Sequence, residues 1–554
     1  MSHRVIIIIY FAILVIVPSC SLNLQAEPEI YIRFNQLGFT PNGLKTAVIL
    51  SYNKLDGRTI SIFNTKSGEK VYSAFFEKNL GTYGDFPFTY SIDFSKIKTV
   101  GEYYIQYAQQ KTFPFKISVN VFDGLADSLL QFFRVQRCGY TDPFLHNVCH
   151  ISDATSMIDG DRTIAKTIDV TGGWHDAGDY VKFLNTTAFA TYMLLFSYDF
   201  DPVKFGFDNN KNGTPDILEE AKVGLDWMLR SYYDKNKLIT QVQDLRDHDV
   251  GWRLPEEDQL GFDRPAFVGM GKNLIGIYSA TMALASRIWK DKLHYPEFSN
   301  LCISAAENIY SIKDKVADVD SSGSGQYLDK KYEGKLALGA IELYMTTFKA
   351  SYLNDATTYA DSANSDFWWS WGNINSLAHY RLAKFIPRFT DYIKNNLEVF
   401  NKNKDNNLFG KGTDISWGTN VTLLGITLQN ILYKKLTNDN KFDSVAVFQR
   451  DFILGRNPWG ISFISNTGKN FTKYFHHQIA KIKGRLPGGF AAGPAKKEFL
   501  DKMKIVYDQP DKYAKFQTNE DYYRDDRMDY ITNEPTITGN ATAIFVFGNL
   551  SERK

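Results

Sequence analysis

The sequence predicts an all-α (α/α)6 barrel preceded by a small β-sandwich of immunoglobulin type. Three observations predict it. Residues 30 to 118 alternate apolar and polar in period two, the spacing turns helical from Asp123, and no later run alternates with comparable clarity.

The first part reads as strands at Tyr31 to Gln36, Ala47 to Tyr52, Thr59 to Phe63, Val71 to Phe75, Phe88 to Phe94, Tyr103 to Tyr107 and Phe113 to Ser118. Pro41-Asn42-Gly43, Asp56-Gly57 and Ser67-Gly68 supply turns between them. About seven short strands at this spacing indicate an immunoglobulin-like sandwich. Helical faces follow: Leu125, Leu129, Phe132, Phe133 and Gln136, then Ile275, Tyr278, Met282, Ala285 and Trp289, then Ala337, Ile341, Tyr344 and Phe348. About twelve such segments between 124 and 550 would pair as six hairpins and close a barrel. Loops 141–180, 237–272 and 456–540 are rich in glycine and aromatics, and loops beyond ~15 residues usually carry function.

The N-terminus reads as an export signal. Arg4 flanks an apolar run from Val5 to Val17, which is shorter than the ~20 residues a bilayer span needs. Cys20 follows Pro18-Ser19, the pattern of a bacterial lipoprotein signal, in which Cys20 becomes the lipidated first residue. Cleavage near Ala26 is the alternative, and either reading exports the chain. The expected division is a leader at 1–26, a sandwich at 27–120 and a barrel at 121–554.

Composition excludes several functions. Lys+Arg is 63 against 62 Asp+Glu, a net +1, so the basic footprint of a nucleic-acid groove is missing. No GxGxxG fingerprint, P-loop or GxSxG elbow is present, which argues against an organic cofactor or a serine esterase. Aromatics reach 15%, enough for a large core and for stacking platforms under flat ligands.

The densest polar cluster is Gly172-Gly173-Trp174-His175-Asp176-Ala177-Gly178-Asp179-Tyr180. The glycines permit a tight path that aims both carboxylates at one point, where one takes a proton from water and the other holds that water. A second cluster, Asp525-Asp526-Arg527, Asp529-Tyr530 and Asn533-Glu534, lies just before a last apolar helix (Ala541 to Leu550). That setting raises a carboxyl pKa toward the range of a general acid. Acidic groups from both ends of a chain meeting in an aromatic cleft suit glycoside hydrolysis.

On these residues the chain resembles glycoside hydrolase family 9, in the subgroup with an N-terminal immunoglobulin-like module. The resemblance runs through Arg33-Phe34-Asn35-Gln36-Leu37-Gly38-Phe39, Gly173 to Phe183, Gly213 to Glu220, Leu454-Gly455-Arg456-Asn457-Pro458, His476-His477, and Asn533-Glu534 with Asn540-Ala541. It implies inverting hydrolysis of β-linked glucans, with Asp179 as base, Asp176 as its companion and Glu534 as acid. Two departures stand out. Gln478 occupies the position of a family arginine, and Pro535-Thr536-Ile537-Thr538-Gly539 replaces a stretch with an aspartate and a tyrosine. Substrate contacts are expected from His476, His477 and Gln478, and stacking from among Trp252, Trp369, Trp417, Trp459 and Tyr530. Exo-acting β-glucosidase or β-glucosaminidase activity, or a glycan-binding surface lipoprotein, are the competing readings.

Two metals are expected. Cys138, Cys149, His150 and His175 have zinc donor types, and the resemblance implies a structural zinc there; a Cys138–Cys149 disulfide is the alternative. Residues 208–219 fit a calcium-loop template, with Asp208, Asn210, Asn212, the Thr214 carbonyl, Asp216 and Glu219 as ligands; a capped helix start is the alternative. Cys302 lies in an apolar helical stretch and reads as inert.

Overall fold

The computed structural model describes residues 29–553, apart from 77, 165, 259–262, 324–326 and 328. The leader and Cys20 lie outside the described residues.

The N-terminal module is two packed antiparallel sheets. One carries Ile30–Phe34, Thr46–Ser51 and Phe88–Asp93; the other orders Lys70–Phe75, Thr59–Asn64 and Gly101–Tyr107, the last also paired with Gln110–Lys111 and Phe115–Ile117. Alternation puts Ile49, Ile62, Tyr90, Ile105 and Phe115 inward, where they close on Phe39 and Phe94.

Twelve helices of nine residues or more follow among the described residues. Six form the inner ring: Leu184–Phe200, Lys272–Asp291, Glu333–Thr347, Asn375–Ala383, Thr419–Thr437 and Ile537–Leu550, each packed on the next and the last on the first. Leu184–Phe200 and Ile537–Leu550 are apolar nearly all round, as a helix buried between neighbours must be. The outer six, Leu125–Gln136, Asp216–Arg230, Pro296–Tyr310, Ala350–Ala363, Thr390–Lys404 and Asp443–Ile453, bury one face against this ring. No helix among the described residues is long and apolar enough to cross a membrane.

The loops hold a small sheet that periodicity did not reveal. Ser156–Asp159, Arg162–Ile164, Lys182–Phe183, Tyr232–Asp234, Lys237–Val242 and Pro265–Gly269 pair with one another. Lys237–Val242 is buried on both faces and Arg162–Ile164 is exposed on both, so neither alternates.

The module is fastened to the barrel by its Asn35-Gln36 turn. Asn35 Nδ2 donates to Asp451 Oδ1 (2.8 Å), Gln36 Nε2 to Gly460 O (2.8 Å) and Arg33 Nε to Pro458 O (2.7 Å). Gly455 has φ +119°, and a Cβ there would lie 2.6 Å from Gln36 Nε2. The 33–39 and 454–458 motifs therefore meet each other, at the junction of the two parts.

Candidate functional site

The turn between Asp176 and Asp179 is a meeting point for the chain. A Cβ on Gly178 would lie 2.3 Å from His476 O and 3.1 Å from Glu534 Oε1, so only glycine admits both neighbours. Gly178 N donates to Glu534 Oε1 (3.2 Å), and Gln478 N donates to Gly178 O (2.9 Å). Ile537 N donates to Asp176 O (3.0 Å), tying the turn to the last inner helix. Asp176, Asp179 and Glu534, far apart in sequence, thus share one site.

Each carboxyl has a different environment. Asp176 is buried and accepts from the Tyr327 hydroxyl at 2.7 Å; burial pushes its pKa up to about 6. Asp179 is partly exposed. Its Oδ1 accepts from Val181 N (2.9 Å) and its Oδ2 meets His248 Nε2 (2.5 Å). That contact, with Asp179 as the first cause, raises His248 to about 9, so the ring is a cation at neutral pH. Loss of water around Glu534, reinforced by the Asp179 charge, pushes Glu534 up to about 8. Glu534 is therefore held protonated at neutral pH over the Asp176–Asp179 turn, the state a general acid needs.

Glu534 is fixed from behind. Ala492 N donates to its carbonyl (3.1 Å) and His476 N donates to the Asn533 carbonyl (3.2 Å). Asp529 caps the short Tyr530–Asn533 turn, its Oδ1 accepting from Ile531 N and Thr532 N. In the divergent stretch 535–539, Thr536 caps the last inner helix by accepting from Gly539 N at 3.0 Å. Thr536 and Gly539 are explained by the helix start.

An aromatic row leads away from the carboxylates. Trp252 stands edge-on to His476 (5.2 Å), His476 to Tyr530 (5.8 Å), and Tyr530 tilts on Trp417 (5.9 Å), which is 43% exposed. Three expected members of the substrate surface do not belong to it. Trp369 and Trp459 are 1% and 3% exposed core rings whose indole N–H groups are bonded to Thr542 Oγ1 and Gln517 Oε1. His477 is buried against Gln136 Oε1 (2.7 Å) and accepts from Ala480 N. Apolar spacing does not distinguish a core tryptophan from a cleft tryptophan, and a histidine pair does not say which ring faces in. Gln478 joins the row's support, its Oε1 accepting from Arg253 N at 3.0 Å. His248, Tyr327 and Asp247 were missed; each is a lone polar residue whose partner is distant in sequence.

The four zinc-type donors come together. Their ligand atoms all lie within 4.8 Å of one another. Cys138 Sγ is 3.7 Å from His150 Nδ1, which is 3.1 Å from His175 Nε2. Bond lengths of ~2.3 Å to sulfur and ~2.0 Å to nitrogen give tetrahedral edges of about 3.3 to 3.8 Å, so the set fits one such ion. His150 Nε2 is turned to Asp258 Oδ2 at 3.0 Å, the outer partner a metal-bound imidazole takes. Cys138 and Cys149 are not bonded to each other in this structure. Cys302 is buried, and burial raises it to about 12.

The 208–219 loop folds on itself. Asp208 accepts from Asn212 N (3.1 Å) and Gly213 N (2.8 Å), and Asn212 Oδ1 accepts from Thr214 N (2.9 Å). Asp216 opens the Asp216–Arg230 helix, with Glu219 in its first turn.

A barrel that sets a carboxyl raised to about 8 over a turn carrying two more, beside a row of rings, defines a glycan-cleaving acid–base hydrolase. The family model for glycosyl hydrolase family 9 matches residues 122–547, and that for the cellulase N-terminal Ig-like domain matches 27–112. The chain belongs to glycosyl hydrolase family 9. It is 26% identical over 601 residues to a xyloglucan-specific endo-β-1,4-glucanase of Bacteroides ovatus, covering 96% of this chain and 95% of that one. It is 24% identical to a cellodextrinase of Butyrivibrio fibrisolvens, covering 94% and 99%. Among solved structures, a zinc-binding triple mutant of the family 9 endoglucanase J30 superposes with a TM-score of 0.80 at 23% identity, covering 93% of this chain and 100% of that one.

Proposed function

We propose that the chain cleaves β-glucans with inversion, Asp179 acting as base, Asp176 as the carboxylate that holds the water with it, and Glu534 as acid. The observation that carries this is the Gly178 contact, which sets a protonated Glu534 over the Asp176–Asp179 turn. A carboxylate offers about four lone-pair sites, so Asp179 Oδ2 has room for a water beside His248. Trp252, His476, Tyr530 and Trp417 would line the sugar sites, because a pyranose presents an apolar face to a ring.

The preferred substrate is read as a soluble or decorated β-glucan, or short oligosaccharides, in place of cellulose. Gln478 supports this. Its carbonyl fixes Arg253 N beside Trp252, and an arginine has no acceptor to do so. A product profile over xyloglucan, carboxymethyl-cellulose and cello-oligosaccharides tests the reading. Gln478→Arg should shift the relative rates among them several-fold. Random internal cleavage of carboxymethyl-cellulose as the best activity, unchanged in Gln478→Arg, would refute it.

Cys138, Cys149, His150 and His175 are proposed to hold a structural zinc. Asp208, Asn210, Asn212, Thr214, Asp216 and Glu219 are proposed to hold calcium, which a rise in melting temperature on adding calcium would support and its absence would refute. Export with a lipid on Cys20 is proposed from the leader alone; Cys20→Ala should release the protein from membranes, and unchanged partitioning would refute it.

A further inference from the structure

We propose that the metal centre acts on the catalytic base through Tyr180, whose peptide N–H and C=O are each gripped by a separate buried relay starting at a metal ligand. The proposal rests on the metal reading above. Tyr180 directly follows Asp179, so holding its two peptide groups holds the backbone from which the base projects.

The first relay starts at His150. Nε2 meets Asp258 Oδ2 (3.0 Å), Asp258 Oδ1 accepts from Arg253 Nε (2.5 Å), and Arg253 Nη2 donates to Asp247 Oδ1 (2.6 Å). Asp247 Oδ2 then accepts from Tyr180 N at 3.0 Å. The second starts at Cys138. Lys182 Nζ lies 3.8 Å from Sγ and 2.8 Å from Asp153 Oδ2. Asp153 Oδ1 accepts from Arg264 Nε (2.6 Å), and Arg264 Nη2 donates to the Tyr180 carbonyl (3.0 Å). Arg264 also stands 3.6 Å from Asp258 Oδ2, bracing one relay on the other. The Tyr180 ring is 5.5 Å from His150 and 4.8 Å from His175, and its hydroxyl donates to Arg253 O (2.6 Å).

Charges alternate along both relays: Asp258, Arg253, Asp247, and Lys182, Asp153, Arg264. Burying so many charges is a poor route to stability, because desolvation offsets most of the attraction. What such a set supplies is geometry, since each donor away from water is confined to its own acceptor. A metal that holds His150 Nδ1 and Cys138 Sγ fixes the first member of each relay. The first relay has a second output: Asp247 directly precedes His248, whose Nε2 holds Asp179 Oδ2. These six side chains are positioning residues, and they act on the base from behind while His248 acts from the front.

Asp258→Asn and Asp247→Asn cut the first relay at its two ends, nearly preserve shape and leave all four metal ligands in place. The test measures kcat, KM and zinc affinity by chelator competition for the wild type, both single variants and the double variant. Each single variant should lose about 10-fold to 100-fold in kcat, the scale on which small misplacements act, with KM little changed. The double variant should lose no more than the worse single one, because a relay cut twice is no more broken than one cut once. Coupling is reciprocal, so Asp247→Asn, which touches no metal ligand, should weaken zinc binding about 5-fold or more. Losses that multiply in the double variant, or zinc affinity unchanged in Asp247→Asn, would overturn the proposal. If Asp258→Asn does not fold, Arg253→Lys replaces it, keeping the charge and losing the fork that joins both aspartates. A wild type that binds no zinc overturns the metal reading and this proposal with it, whereas losses that multiply in a zinc-loaded enzyme overturn the relay and leave the metal reading standing.

Discussion

Glu534→Gln should lose about 10²- to 10⁴-fold in kcat while remaining folded, because an amide cannot protonate the departing glycosidic oxygen. Asp179→Asn should lose a similar factor by removing the proposed base. The pKa of Glu534 adds a signature that simple damage would not produce. With that group raised to about 8, wild-type activity should hold through neutral pH and fall as the pH passes about 8 and the acid ionises. Stability carries the same sign. A carboxyl whose pKa is higher folded than unfolded binds more protons in the folded state, so its contribution falls as pH rises from the unfolded value through about 8. Glu534→Gln removes the ionisation and should melt higher than the wild type at pH 8 to 9. Product analysed by NMR at early times should show the inverted anomer. Near-normal turnover in either folded variant, or a retained anomer, would refute the assignment.

The helical barrel and the sandwich were legible because both depend on periodicity, which one strand or one helix already shows. Ile49, Ile62 and Ile105 point into the sandwich core, and Leu125, Leu129, Phe132 and Phe133 share the buried face of the Leu125–Gln136 helix. The carboxylates were legible as residue types at suggestive spacings, but their pairing was not. It depends on Gly178 lying under both His476 and Glu534, a contact between segments hundreds of residues apart. The same limit hid His248 and Tyr327, whose roles exist only once the fold brings them to Asp179 and Asp176. It also misled about Trp369 and Trp459, which look like platforms in sequence and are core in space. The 454–458 motif carries the resemblance alongside the catalytic turn, yet it serves the junction with the sandwich.

Cys149→Ser should abolish the zinc binding proposed for the Cys138, Cys149, His150 and His175 set and lower the melting temperature by several degrees or more. A ligand set closed within 4.8 Å binds its ion only when folded, so the binding free energy is folding free energy, about 10 to 16 kcal/mol in small zinc domains. The barrel has a large core of its own, so the loss here should show as earlier melting and not as failure to fold. Activity should fall with it, because His175 is joined directly to Asp176 and the relays from His150 and Cys138 end at Tyr180. Two reagents separate zinc from the disulfide that an exported chain permits. With zinc, a chelator lowers the wild-type melting temperature and a reductant does not. With a Cys138–Cys149 disulfide, the reductant lowers it and the chelator does not. Acid should act like the chelator, since thiolates and neutral imidazoles lose the metal as they protonate. Purified protein with no zinc and an intact Cys138–Cys149 bond would sink the metal centre, and the catalytic turn would then need another brace.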